Sequence, residues 1–174
     1  MFFIQMSGFP GSGKSTLSRQ IAKQLDAIIV DHDIVKSSLM KSIEETPLDP
    51  KMAGKIAYDI DWSLVEFHLS QGANVILDSP CLYDELIQKG TRLAETYGAA
   101  YKYVECYLED MNAINQRLQQ RERLPSQIAE VLSPDAFTYT LANSIKPVGH
   151  ETLIVDTAEP LDAYLQEVID YLKI

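Results

Sequence analysis

Gly8 is followed by four residues and then by Gly13-Lys14-Ser15, the pattern G-x-x-x-x-G-K-[ST]. The chemistry of that pattern is anion binding. Gly8, Gly11 and Gly13 allow turns that a bulkier residue forbids, so several backbone N–H groups point inward. A helix opening at Lys14 adds unpaired N–H groups and the positive end of its dipole. From this position a lysine ammonium reaches the β- and γ-phosphates of a nucleotide, and the Ser15 hydroxyl is placed to ligate Mg²⁺. Thr16 is expected at the α-phosphate. Gly8, Pro10, Gly11, Ser12, Gly13, Lys14, Ser15 and Thr16 are therefore the expected nucleotide-binding residues, with ATP and Mg²⁺ as cofactors.

A second carboxylate-bearing run is "NVILDSP". It offers Asp78 at the end of a strand, where a carboxylate holds the water shell of Mg²⁺, or else caps the turn before Pro80. A third run is "VDHDIVKSSL". Were it extended, Asp31 and Asp33 would point to one side and His32 to the other. Asp33 is the candidate base for a substrate hydroxyl attacking the γ-phosphate; its alternative role is to cap the next helix. Asp31 is a substrate or magnesium contact. Lys36, one helical turn on, is placed to neutralise the transferring group.

Arg117 and Arg121 in "MNAINQRLQQRERLP" are four apart and share a helix face; Arg123 follows. On a closing segment such arginines clamp phosphates and stabilise transition-state charge, although a basic helix end also suits the helix dipole. Tyr58 and Trp62 share a face of a long helix and are candidates to line an acceptor pocket, or are simply packing. His68 and His150 read as surface or structural residues. Cys81 and Cys106 lack partners at zinc spacing.

Alternating strands and helices must position these groups. Apolar runs predict strands at "FFIQMSG", "AIIVD", Asn74–Asp78, Tyr101–Leu108 and "TLIVDTA". Helices are expected at Lys14–Leu25, Ile34–Lys41, Lys51–Ser70 and Asp84–Tyr97, from an Asp110 cap to about Arg121, after Asp135, and from Pro160. Met52, Ile56, Ile60, Leu64 and Phe67 predict the buried face of the long helix. "SIEETPLDP" reads as a loop, and the span from Glu122 to Pro134 as a mobile insertion. Strands apolar throughout and separated by helices imply a three-layer α/β domain with about five parallel strands and helices on both faces.

The chain has 174 residues, which suits one domain spanning 1–174, with an arginine-bearing lid at about 110–135. It carries 25 acidic against 15 basic side chains, a net charge of −10. That balance argues against a broad grip on nucleic acid. No apolar run approaches the roughly 20 residues that span a bilayer, and "MFFIQM" reads as a strand and not a leader. Two cysteines suggest no disulfide framework and a cytoplasmic setting.

Taken together, "GFPGSGKST", "VDHDIVKSSL", "GANVILDSP", "YKYVECYL", "RLQQR" and "ETLIVDT" resemble the small P-loop kinases grouped with polynucleotide kinase and chloramphenicol phosphotransferase, and the AAA-type ATP-binding proteins around them. The resemblance covers most of the chain and implies the P-loop NTPase fold. In the polynucleotide kinase pattern a catalytic aspartate precedes an arginine by three residues; Asp33 and Lys36 occupy those places. Lysine keeps the charge but loses the bidentate fork. The lid arginines of that pattern fall on Arg117 and Arg121. The expected function is transfer of the γ-phosphate of Mg·ATP to a hydroxyl of a small molecule, with Asp33, Lys14, Arg121 and Arg117 as catalytic residues. The alternatives are a regulatory ATPase without an acceptor and a kinase of nucleic-acid 5′-hydroxyls. No N-K-x-D guanine-reading motif is present, and the length leaves no helical second domain for an AAA+ motor. The sequence leaves open the acceptor and the oligomeric state.

Overall fold

Five short apolar runs pair side by side, all parallel, in the computed structural model, which describes residues 1–43 and 49–173. The strands are β1 (Phe2–Ser7), β2 (Ala27–Asp31), β3 (Asn74–Asp78), β4 (Ala100–Tyr107) and β5 (Thr152–Asp156), in the order β2-β3-β1-β4-β5. The helices are α1 (Lys14–Leu25), α2 (His32–Ser42), α3 (Pro50–Ser70), α4 (Asp84–Tyr97), α5 (Met111–Gln120), α6 (Pro134–Ala142) and α7 (Leu161–Leu172). Central β1 is buried at every position, because both sheet faces are covered.

Alternation along each strand divides the core in two. Phe3, Val75, Leu77 and Tyr103 pack with Trp62, Val65 and Leu69 of α3 and Leu86 and Ile87 of α4. On the opposite face Ile4, Ile76, Val104 and Val155 pack with Leu17 and Ile21 of α1 and Val168, Ile169 and Leu172 of α7. A third cluster, Leu108, Ile114, Leu118 and Phe137 with Phe9 against it, seats α5 and α6 beside the loop after β1. The order of strands reverses around β1, so the carboxyl ends of β1, β2 and β3 open onto a crevice of the kind that binds ligands in such sheets.

Two expectations change. On α3, Met52, Ile60, Leu64 and Phe67 face solvent, and the buried line runs through Ala53, Ala57, Asp61, Trp62, Val65 and Leu69. Both stripes have helical period and both carry large apolar side chains; the covered one packs Trp62, Val65 and Leu69 into the core, with the small Ala53 and Ala57 on the same line. At α2 the chain is not extended through Asp33: the helix begins at His32. The expected loop "SIEETPLDP" falls largely on residues 44–48, outside the described residues. The span after α5 carries no helix until Pro134, yet side-chain hydrogen bonds tie it to α2 and α5: Ser126 to Ser37, Gln127 to Asp33, and the Val131 N–H to Asn115 Oδ1. No helix among the described residues is long and apolar enough to cross a membrane.

Candidate active site

The loop between β1 and α1 is built by glycine. Gly8, Gly11 and Gly13 have φ of 131°, 87° and 96°, in the region that disfavours side chains. A Cβ on Gly8 would stand 2.2 Å from the Cys106 carbonyl oxygen. Gly13 is the N-cap of α1 and offers no side-chain acceptor, so the first N–H groups of the helix are left for a ligand. The Lys14 ammonium donates to the carbonyls of Gly8 at 2.7 Å and Phe9 at 3.1 Å. Burial lowers its pKa, with Asp78 opposing the shift. A cavity of about 910 Å³ lies over the loop, lined by Pro10, Gly11, Gly13, Lys14, Ser15 and Thr16. Gly8 and Ser12 lie beneath it: Gly8 anchors Lys14, and the Ser12 carbonyl accepts from Thr157 Oγ1 at 2.7 Å.

Two carboxylates face this cavity from adjacent strand ends. Asp31 and Asp78 are register partners of β2 and β3. Burial first, and then the charge of Asp78, raise the Asp31 pKa to about 6. Ser18 Oγ donates to Asp78 Oδ2 at 3.1 Å and fixes its orientation. Asp31, Asp78 and Ser15 line the same cavity and offer oxygen donors of the kind that fits Mg²⁺. Among the described residues no three His, Cys, Asp or Glu side chains converge into an all-protein metal cage. A cation that keeps its waters and leans on phosphate oxygens needs none.

The start of α2 divides the roles of its two aspartates. Asp31, not Asp33, is the N-cap: its Oδ1 accepts from the N–H groups of Asp33 at 3.0 Å and Ile34 at 3.2 Å. The Asp33 carboxylate is thereby released from capping and lines the cavity. Gln127 Nε2 donates to its Oδ2 at 2.8 Å, and Ser126 Oγ reaches its Oδ1 at 3.4 Å. His32 turns inward. Its Nδ1 lies 2.6 Å from Asp61 Oδ2, and its ring stacks on Tyr58 with centroids 4.0 Å apart. Burial raises the Asp61 pKa, and the bond to His32 opposes it. Sequence reasoning missed Asp61, His32, Ser126 and Gln127. A signal existed only for Asp61, an aspartate spaced four residues from Ala57 and from Val65 on the buried stripe.

The arginines separate as well. Arg117 on α5 donates from Nη2 to the Thr157 carbonyl at 2.6 Å and lines the cavity beside Gly13. Helix α5 ends at Gln120, so Arg121 departs from the shared face in an extended conformation. Its Nη2 donates to the Ile128 carbonyl at 3.1 Å, while its Nε is buried without a partner among the described residues. Burial lowers the Arg121 pKa, and the Asp33 charge opposes that. Arg123 is exposed and lines no described cavity.

A second cavity, of about 850 Å³, adjoins the first. Tyr58, Trp62 and Lys36 line it, and Pro10, His32, Asp33, Pro80, Arg121 and Gln127 line both. Lys36 was expected at the transferring group but does not line the first cavity. It turns to α3, where its Nζ stands 3.8 Å from the position a Cβ of Gly54 would take. Helix geometry explains this: Lys36 is four residues after His32, whose ring stacks on Tyr58 and meets Asp61 of α3, so both face that helix.

No curated protein matches the chain. Among solved structures, a provisionally assigned kinase from Chloroflexus aurantiacus superposes with a TM-score of 0.77 at 19% identity, covering 99% of this chain and 98% of that one. A gluconokinase from Sinorhizobium meliloti gives 0.58 at 19%, covering 98% and 95%. The APS kinase of Mycobacterium tuberculosis, in complex with AMPPNP and APS, gives 0.62 at 14%, covering 98% and 96%. At these identities the likeness is one of fold. The AAA domain profile matches residues 3–133, three quarters of the chain. The chain therefore belongs to the AAA domain family and has the fold of the small P-loop kinases.

Proposed function

We propose that the protein is an ATP-dependent kinase that phosphorylates a hydroxyl of a small molecule. One observation carries this reading: Asp33 and Arg121 stand where two cavities meet, one over the phosphate loop and one beyond it. A nucleotide switch needs the first cavity alone. A phosphotransferase needs both, with a base and a cation at the junction.

Bound Mg·ATP supplies the activated phosphoryl group. Gly11, Gly13, Lys14, Ser15 and Thr16 bind its phosphates, Ser15 and Asp78 hold the cation, and Arg117 steadies the loop from the Thr157 side. Asp33 accepts the proton of the acceptor hydroxyl, and Gln127 and Ser126 orient its carboxylate. Arg121 has a buried Nε with no partner, and supplies positive charge where negative charge develops. His32, locked by Asp61 and stacked on Tyr58, forms the wall between the cavities. The whole chain acts as one domain, with residues 110–135 as the lid that carries both arginines. The gluconokinase and APS kinase folds, named for small acceptors, support this choice. Buried free Cys81 and Cys106 support a reducing, cytoplasmic setting.

The test is a panel of hydroxyl compounds with γ-labelled Mg·ATP, scored for acceptor-dependent label transfer. Transfer to a small hydroxyl compound is expected. ATP hydrolysis that no acceptor stimulates would favour the regulatory ATPase. Labelling confined to oligonucleotide 5′ ends would favour the nucleic-acid kinase.

A further inference from the structure

The second cavity has a charge opposite to that of the chain. The protein as a whole carries −10, yet Lys36, Lys51, Lys55 and Lys89 join Arg121 in this wall, against Asp33, Asp59 and Glu85. None of the four lysines forms an ion pair with a described residue. Three of them fall on one part of the wall. Lys51, Gly54, Lys55, Tyr58 and Trp62 recur at helical spacing along one face of α3. Lys36 reaches across from α2 to Gly54, which lies between Lys51 and Lys55 on that face. Helix α3 begins at Pro50 behind an Asp49 N-cap whose carboxylate accepts from the Met52 N–H, so positive charge here comes from the lysines and not from the helix end. Like charges brought together on this face repel each other until an anion binds. Lower on the same face, Tyr58 and Trp62 give the cavity an aromatic wall, with the Lys89 ammonium 5.6 Å above the Trp62 ring.

We propose that the acceptor bears an anionic group, a carboxylate or a phosphate or sulfate ester, in addition to the hydroxyl that is phosphorylated, and that Lys36, Lys51 and Lys55 bind this anion. The proposal rests on the kinase reading for the word acceptor; the anion site rests on the cavity. The distribution of charge sets the orientation. The hydroxyl end faces Asp33 and Arg121, and the anionic end lies one helical turn further along α2, toward the start of α3. Lysines hold the anion as point charges without a bidentate fork, so carboxylate and phosphate are both admitted, and net charge discriminates more strongly than shape. A single small anion can be held by three ammonium groups in one place, whereas a polynucleotide needs a basic track leading away from the pocket.

Trp62 is the sole tryptophan and lines the cavity, so its fluorescence reports occupancy. The experiment fills the first cavity with a non-hydrolysable ATP analogue. It then titrates sulfate, inorganic phosphate, xylonate, xylitol 5-phosphate and neutral xylitol, on the native protein and on the double variant Lys51→Gln/Lys55→Gln. In parallel, label transfer from ATP is measured to xylitol, xylonate, xylitol 5-phosphate and a 5′-hydroxyl oligonucleotide. Anions are expected to bind at least about tenfold more tightly than xylitol, and the double variant to erase that difference while ATP affinity is unchanged, since charge-assisted contacts to an anion are of that size. In transfer, the variant should raise KM for the anionic acceptors and leave kcat nearly unchanged. Neutral xylitol bound or labelled as well as the anions, an anion preference that survives the double variant, or preferred labelling of the oligonucleotide would each overturn the proposal. Anion binding that depends on Lys51 and Lys55 without transfer to any acceptor would uphold the anion site and remove the kinase reading. Failure of every anion to bind would remove the anion site whatever the outcome of transfer.

Discussion

The two cavities that share Asp33 and Arg121 differ in what they are made of. The floor of the first is mostly backbone and comes from one stretch of chain, a loop of glycines with positive φ, the open end of α1, and one buried lysine held by two loop carbonyls, while Asp31, Asp78 and Arg117 reach it from other elements. The second is mostly side chain and comes from α2, α3, α4 and residues 121–128. Backbone N–H groups bind any phosphate chain of the right length, so the first cavity can stay the same while the substrate changes. Side chains on separate helices can be exchanged one by one, so on the kinase reading acceptor specificity is expected in the second. Arg121 and Asp33 belong to both, and substitutions there should affect the reaction more than either binding step.

The largest of these effects, after loss of the base, is expected at Arg121. Arg121→Ala should lower kcat by about 10²–10³-fold while ATP affinity, read by calorimetry, changes little, because the guanidinium acts on developing charge. A parallel loss of affinity and turnover would place Arg121 in the first cavity alone. Next is Lys14→Ala, which removes one charge-assisted contact and leaves two carbonyls without their donor. Nucleotide affinity should fall roughly tenfold or more, with sulfate binding in the second cavity unaltered. Were both ligands weakened together, the cavities would be a single site.

The smallest effect isolates the carboxylate pair. In the folded protein the Asp31 pKa is raised to about 6 from 3.8 by burial and by Asp78. The protonated form is thus favoured on folding, and the stability it brings is full below pH 4 and lost as the pH rises through about 6. Asp31→Asn keeps an N-cap acceptor and removes that loss. In metal-free buffer at pH 8 the melting temperature should rise by about 2–4 °C, and at pH 4 it should match the native protein. A rise of equal size at both pH values would show that repulsion from Asp78 is not its source.

The same contrast explains what the sequence made legible. Strand, loop and helix around Gly8–Thr16 follow one another in the chain, so local rules were enough to assign the turn and to point to a phosphate ligand. The five parallel strands were readable because burial on both faces leaves them mostly apolar, with few polar positions such as Gln5 and Glu105. Asp33 and Arg121 could be named from spacing, but not the reason for their freedom: Asp31 takes over the cap, and α5 stops one residue short of Arg121. The partners of the candidate base were out of reach. Gln127 is 94 positions from Asp33, and Asp61 is 29 from His32. The face of α3 was misread because two stripes of apolar residues share the helical period, and only the packing of neighbouring elements decides which stripe is covered.

The role of the junction is tested most directly by Asp33→Asn with an acceptor that the native enzyme labels. Asparagine keeps the size of the side chain and its bond to Gln127 but cannot take a proton. Acceptor-dependent label transfer is expected to fall by roughly 10²–10⁴-fold, with ATP affinity, acceptor affinity and melting temperature close to those of the native protein. Transfer retained at near-native rate in the folded variant would contradict this, because the proton would then leave the acceptor by a route in which Asp33 has no part.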